Sequence, residues 1–483
     1  MLESNLPYTS VVNSLDSKSF IETSSESVER ILSNGEKESI FESKLEEISG
    51  RRVAWFKLGD AKNPRALKAS DALKISKLIT TAIELEIPVV GSISITGFDL
   101  RDGITALAAW GALVRSLSSA SGVIPTFIIV TGPCVSSVSL LLGIVDIVIF
   151  TEDAHAFVSA PSTVAGITGA QVSPTDLGGY QIHANQSGLS SFVVQDEEEA
   201  LVVVLDVLSY LPSSCWQIPP KVLSQDPTDR QCNIAESVVP NSSSASYDMV
   251  QVINDIVDED TFLELRFSFA PNILTGFARI GGISIGIIAN QPSRLAGTID
   301  IEGSQKAARF VQMCDAFNVS LLTLVDTPGF QPGKDLEWRG MIRHGAQLVH
   351  AYGAASVPRV SMVIRKAYGG AYIVMDSKGL GNDICFAWPN AEIAVMGASG
   401  AVQILHGRKL AQIEDDQERL RTKNELEQQY AQRFCTAELA SERGYVDDII
   451  EPSQSRELIF RAFEMLETKR EELIKRKHSN SPL

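Results

Sequence analysis

Short apolar runs alternate along the chain with longer stretches of helical spacing. The runs IPVVGSISI (87–95), TFIIV (126–130) and VDIVIF (145–150) carry little polar alternation, as strands buried on both faces do. The same order returns as VSLLTLVD (319–326), VSMVI (360–364) and AEIAVMG (391–397). This pattern predicts the α/β class. The most apolar stretch, 127–150, is broken by Gly-Pro, three serines and Asp146. It therefore reads as strand, loop, helix and strand rather than as a membrane span.

The recurrence has a register. LDSKSFIE (15–22) matches VDEDTFLE (257–264), and LKISKLITTAIELEIPVVGSISITGF (73–98) overlays QKAARFVQMCDAFNVSLLTLVDTPGF (305–330). Lys74 pairs with Lys306, Pro88 with Ser320 and Gly97 with Gly329 at a constant offset. Pro125 then meets Pro358 and Asp146 meets Asp383, with the small drifts that loop insertions produce. The pattern predicts two tandem copies of one α/β domain, as 483 residues exceed what single cores usually span. The expected division is a first domain over 1–211, a Pro- and Ser-rich linker over 212–250, and a second domain over 251–483. Its tail departs from the repeat. Residues 411–443 are highly charged with helical spacing, and 455–477 form an amphipathic helix, expected to cover the core or meet another subunit.

Composition narrows the function. A net charge of −17 argues against general nucleic-acid binding, which needs basic surfaces. The six cysteines are scattered without a C-x-x-C pair, so neither a zinc ribbon nor a disulfide framework is expected, and no metal. Isolated thiols suit a reducing compartment. The N-terminus shows neither basic nor apolar leader regions, which points to the cytoplasm.

One motif carries chemistry. RKAYGGAYIVM (365–375) places paired glycines directly after a core strand. A glycine loop that leaves a strand and starts a helix, here near Ala371, presents backbone N–H groups to an oxygen that becomes anionic. Arg365 and Lys366 are expected to reach such a site, and Tyr368 to flank it. A plain tight turn that needs glycine conformations is the competing reading. No nucleotide-binding glycine fingerprint fits this stretch or GSISITG (91–97).

With these residues in place, a family resemblance is evident. FAPNILTGFARIGGISIGIIANQP (269–292), GTIDIEGSQKAARFVQMCDAFNVSLLTLVDTPGFQPG (297–333), RKAYGGAYIVMDSKGLGNDICFAWPNAEIAVMGASGAVQIL (365–405) and RGYVDDIIEP (443–452) closely resemble the carboxyltransferase (β) subunits of biotin-dependent acyl-CoA carboxylases of the acetyl-/propionyl-CoA type. TDLGGYQIHANQSG (175–188), LSYLP (208–212) and DPTDR (226–230) extend the likeness more weakly into the first half. The resemblance implies two tandem crotonase-like domains of stacked ββα units. It implies an active site where the N domain of one protomer meets the C domain of another, and an oligomer of carboxyltransferase subunits.

The implied reaction moves a carboxyl group from carboxybiotin, held on a separate biotin carboxylase/carrier subunit, to the α-carbon of acetyl-CoA or propionyl-CoA. Malonyl-type CoA for fatty acid synthesis is the expected product. Biotin's ureido oxygen and the thioester oxygen both become anionic, so two oxyanion holes are implied, each donor worth about 3 kcal/mol. Gly370 and Ala371 match the amides that hold the biotin carbonyl, and Gly369 lets them approach. Ile373 matches a position lining the acyl pocket, with an ordinary packed isoleucine as the rival reading.

The first repeat departs from the family. Its loop reads GPCVSSVS (132–139), with Ser136 and Ser137 where the family has a second Gly-Gly whose amides receive the thioester oxygen. Each serine adds a Cβ that limits backbone dihedrals. Three readings stand open. The amides work with shifted geometry; the acyl-CoA half is supplied by a paralogous subunit, leaving this chain a companion; or the serines pack and the chain mainly assembles a complex. His183 is read either as touching substrate or as a hydrogen-bonded structural histidine, His344 as structural and His155 as unremarkable. No ATP-grasp-like region and no Met-Lys-Met attachment site is visible, so biotin carboxylation is assigned to partners. A decarboxylase running the same chemistry backwards shares the oxyanion geometry.

Overall fold

The apolar runs become the parallel strands of two sheets in the computed structural model, which describes residues 21–31, 37–48, 50–240, 242, 245–471, 475, 477–480 and 482. Most of the expected repeat over 15–22 lies outside them. Two units form: described residues up to Pro220 with Leu265–Phe269 and Ala316–Asn318, and the remainder from Lys221 on.

In the first unit β1 (Ile21–Ile31), β2 (Lys37–Ile48) and β3 (Arg51–Leu58) run antiparallel. The chain continues through β4 (Arg65–Leu67), α1 (Ala69–Leu85), β5 (Val89–Phe98), α2 (Ile104–Ala120) and β6 (Thr126–Val135). A 3-10 helix over Ser136–Gly143 leads to β7 (Ile147–Thr151), β8 (His155–Phe157) and α3 (Pro161–Thr168). Then come α4 (Pro174–Gly178), α5 (Tyr180–Asn185), β9 (Phe192–Val194) and α6 (Glu197–Tyr210). The sheet order is β1-β2-β3-β5-β6-β7-β9, parallel from β3 onward, with β8 added alongside the end of β6. Ala72, Ile75, Ile79 and Ala82 recur every three or four residues along α1 and are all buried. That stripe covers one face of the sheet.

The second unit holds α7 (Asn233–Val238), α8 (Met249–Ile256), β10 (Leu263–Glu264), β11 (Ile273–Ile280) and β12 (Ile283–Asn290). It continues with α9 (Ile301–Ala316), β13 (Ser320–Thr327), α10 (Lys334–Trp338), α11 (Met341–Ala354) and β14 (Arg359–Tyr368). After α12 (Gly369–Val374) come β15 (Ile384–Ala387), β16 (Glu392–Ala394), α13 (Ala398–Leu410) and α14 (Asp416–Phe434). The last elements are α15 (Ala437–Glu442), β17 (Asp448–Ile449) and α16 (Ser455–Leu466). Its sheet order, β10-β11-β12-β13-β14-β15-β17 with β16 beside β14, repeats that of the first unit.

The offset read from sequence has a physical basis in each unit. Asp146 Oδ2 accepts from the Thr126 N–H (3.0 Å) and hydroxyl (2.7 Å), clamping the start of β6. Asp383 Oδ2 accepts from the Arg359 N–H (2.8 Å) at the start of β14. Two sequence expectations change. The tail helix expected over 455–477 ends at Leu466, and residues 467–471 are not helical. The expected linker contains α7, and its residues from Lys221 onward belong to the second unit. α14 buries none of its residues, as its charge pattern led one to expect. Among the described residues no helix is long and apolar enough to cross a membrane.

Candidate active site

β14 delivers the glycine pair to the end of the second sheet. Gly369 takes φ 61°, in the left-handed region that glycine adopts without strain, and α12 begins there rather than at Ala371. The first amides of a helix have no intrahelical acceptor, and Tyr368 at the N-cap supplies no side-chain hydrogen bond. Gly370 is exposed and Ala371 is buried. Beside them opens a cleft of about 550 Å³ lined by Gly369, Gly370, Tyr372, Ile373, Val395 and Tyr445, among others. Ile373 is 44% exposed and lines that cleft, so it is not a packed core residue. The turn also abuts Phe330, whose ring a Cβ on Gly370 would meet at 3.5 Å. Phe330 belongs to the repeated Gly-Phe that follows β13, which the sequence marked as a repeat but not as part of this site.

The flanking cations divide differently from expectation. Arg365 does not reach the turn. It is buried, with Nε 3.1 Å from Asp326 Oδ2 and Nη1 donating to the carbonyls of Ser242 (2.7 Å) and Ala245 (2.8 Å). Strand alternation turns neighbouring side chains to opposite faces, and Arg365 takes the inner one. Lys366 and Tyr368 line a second cleft of about 590 Å³ with Glu392 and the first residues of α13. Burial lowers the Lys366 pKa, while burial and the short hydrogen bond to Glu392 raise that of Tyr368. Tyr368 thus lines one cleft with Lys366 and Glu392, while Ile373 lines the other with Gly369 and Gly370.

The first unit builds the same arrangement from different residues. Ser136 stands opposite Gly369, Ser137 opposite Gly370 and Val138 opposite Ala371. Ser136 takes φ 70°, the left-handed conformation of its glycine counterpart, at a cost of roughly 1–2 kcal/mol. Ser137 is not among the residues of positive φ. Only one of the two serines therefore meets the strain expected of both. A Cβ on Gly97, itself at φ 112°, would stand 3.7 Å from the Ser136 Cβ, an ordinary contact. Val135, before this helix, offers no side-chain cap. A cleft of about 420 Å³ adjoins it, lined by Ser139, Leu140, Phe157, Val158 and His183, among others. Leu140 and Val158 fall at the positions that Ile373 and Val395 hold in the other unit. Leu140 is 51% exposed, as a lining residue is.

His183 makes the hydrogen bonds of its structural reading and also lines this cleft. Its Nε2 donates to the Ala156 carbonyl (2.8 Å), so in the neutral ring Nδ1 accepts from the Ser187 hydroxyl (2.8 Å). Burial lowers its pKa below the ordinary 6.5. As pH falls through that value the unfolded chain takes up the proton first, so the stability His183 contributes is present above it and lost below. The unfolding midpoint should fall between about pH 7.5 and about pH 5.5, and His183→Asn should flatten that fall; parallel profiles for the two proteins would count against this role. His344 lies at the surface with Gln305 and Gln347, and His155 stacks on Phe157. The six cysteines are free, and burial pushes the Cys134 thiol beside the serine turn up to about 12, which keeps it from acting as a nucleophile. Among the described residues no group of His, Cys, Asp or Glu is arranged to hold a metal.

Each of the two crotonase-like α/β units thus carries a strand-to-helix turn beside a cleft. The chain belongs to the carboxyl transferase domain family, whose profile matches residues 4–481, and stands with the carboxyltransferase (β) subunits of biotin-dependent acyl-CoA carboxylases. It is 42% identical over 450 residues to the propionyl-CoA carboxylase beta chain of Saccharopolyspora erythraea, covering 90% of this chain and 82% of that one. It is 38% identical over 437 residues to the methylmalonyl-CoA decarboxylase subunit alpha of Propionigenium modestum, covering 90% and 84%. The transcarboxylase 12S crystal structure, a hexamer with methylmalonyl-CoA and methylmalonic acid bound, superposes with a TM-score of 0.87 at 35% identity, over 92% of this chain and 85% of that one.

Proposed function

We propose that this chain is the carboxyltransferase subunit of a biotin-dependent acyl-CoA carboxylase, with propionyl-CoA as its leading acceptor. The observation that carries the reading is the duplicated turn: Gly369–Ala371 and Ser136–Val138 start helices beside clefts built from corresponding positions. Carboxybiotin on a partner subunit supplies the carboxyl group and leaves negative charge on its ureido oxygen. The uncapped amides of Gly370 and Ala371 are suited to that oxygen, and Gly369 gives the backbone the turn it needs. The amides of Ser136 and Ser137 precede the first i→i+3 bond of the 3-10 helix and are suited to the thioester oxygen of the acyl-CoA, with Leu140 lining the cleft beside them. Ile373 borders the biotin-side cleft, where it can also limit the acyl group.

The acceptor follows from the relatives' own names, which concern propionyl-CoA and methylmalonyl-CoA. Acetyl-CoA is named beside propionyl-CoA for one relative, the acetyl-/propionyl-coenzyme A carboxylase beta5 subunit of Mycobacterium tuberculosis, and stands as the second acceptor, while malonyl-type products for fatty acid synthesis draw no support from these names. Assembly with further carboxyltransferase subunits and with a biotin-bearing partner is part of the proposal, as is a cytoplasmic location. The left-handed Ser136 favours the reading in which the serine turn still works, because the backbone already holds the glycine conformation. Decarboxylation is the second reading, favoured by the likeness to a methylmalonyl-CoA decarboxylase subunit.

The test is reconstitution with a biotin-bearing partner loaded with labelled carboxyl groups. Label should pass to propionyl-CoA with a higher kcat/KM than to acetyl-CoA. Transfer that appears only when a second carboxyltransferase with an intact N-half Gly-Gly is added would make this chain a companion subunit. Net release of label from methylmalonyl-CoA, without the forward reaction, would select the decarboxylase.

A further inference from the structure

The strained serine has a local support that its glycine counterpart lacks. Ser139 Oγ donates to the Ser136 carbonyl at 2.8 Å, and Ser139 is buried at 9% exposure on the edge of the first-unit cleft. The Ser136 carbonyl and the Ser137 N–H belong to one planar peptide group and point in opposite directions. Holding the carbonyl therefore holds the amide. A hydroxyl that bonds back along a helical turn is common in itself. What sets this one apart is its acceptor, the carbonyl of the turn residue at φ 70°. At the corresponding position the second unit has Tyr372, and its turn residue Gly369 reaches φ 61° without a Cβ to oppose it.

We propose that Ser139 is a positioning residue for carboxyl transfer. Its hydroxyl pins the Ser136–Ser137 peptide so that the Ser137 amide stays presented to the thioester oxygen, replacing by a hydrogen bond the conformational ease that glycine supplies in the other turn. This rests on the functional reading above. Without the pin, Ser136 relaxes toward negative φ, which rotates the peptide plane and carries the amide away.

A double-mutant cycle in the assembled enzyme tests this, with Ser139→Ala, Ser136→Gly and both together. Ser139→Ala should lower kcat toward propionyl-CoA roughly tenfold with KM changed by less than about twofold, because binding elsewhere is untouched. The same change in the Ser136→Gly background should cost less than about threefold, since glycine needs no pin. Ser139→Thr, which keeps the hydroxyl, should retain most of the turnover. The thermal midpoint reads the pin independently of activity: Ser139→Ala should lower it more in the unsubstituted chain than in the Ser136→Gly chain. Equal losses in both backgrounds, in turnover and in midpoint, would overturn the pin and leave the functional reading standing. No transfer by any variant, the unsubstituted enzyme included, would overturn the functional reading and the catalytic meaning of the pin. The midpoint cycle would still decide the conformational part.

Discussion

Gly370→Val should abolish most carboxyl transfer while leaving the protein as stable as before. Gly370 is exposed at the start of α12, its φ lies outside the left-handed region, and a Cβ there would stand 3.5 Å from the Phe330 ring, an ordinary contact. The added side chain enters the cleft beside the turn without straining the backbone, and its branches cover the Gly370 and Ala371 amides. Loss of oxyanion donors typically lowers kcat by about 10²–10³, and that is the expected drop in label transfer from the biotin-bearing partner. Gly369→Val is the contrasting change. There φ is 61° and a Cβ would come within 3.1 Å of the Val395 carbonyl, so both turnover and stability should fall. A Gly370→Val enzyme that retains more than about a tenth of its turnover would remove this turn from the reaction.

Arg456→Met should be the most destabilising single change outside the turns. Arg456 begins the last helix, α16, yet its side chain is fully buried in the second unit. Its guanidinium pairs with Asp258 at 2.6 Å and donates to the carbonyls of Pro227 and Ile256, each at 2.9 Å. Asp258 in turn accepts from the Gly281 and Gly282 amides (2.9 and 2.8 Å), and Arg230 pairs with Asp226 at 2.8 Å. Removing the cation leaves a buried carboxylate held only by amides, a change that costs about 3–5 kcal/mol. Urea unfolding of the second unit should register that loss. A loss below about 1 kcal/mol would mean the pair behaves as a solvent-exposed one.

The core and the duplication were legible in the residues because their causes are local. The spacing of Ala72, Ile75, Ile79 and Ala82 is enough to specify a helix with one buried stripe. Apolar runs without alternation specify strands covered on both faces, and a carboxylate further along each repeat, Asp146 or Asp383, clamps that strand's first amide. The glycine pair announced a turn for the same reason, since few residues but glycine take its dihedral at no cost.

The rest depended on residues that meet only after folding. DPTDR (226–230) reads as a family word in sequence; the fold makes it the wall against which Arg456, from the far end of the chain, is buried. RKAY gives no sign of which side chains turn inward, and the burial of Asp326 beside β14 sends Arg365 inward and leaves Tyr368 to the neighbouring cleft. In sequence Ser136-Ser137 left three readings open, from a working turn of shifted geometry to serines that only pack. In the structure Ser136 takes the left-handed conformation of its glycine counterpart, and the Ser139 hydroxyl donates to its carbonyl. Sequence by itself therefore determined two α/β repeats, their register and the place of each turn, all consequences of local periodicity and backbone preference. Whether the serine turn keeps a glycine's geometry was visible only in the folded chain, since a Cβ disfavours positive φ at Ser136 without forbidding it.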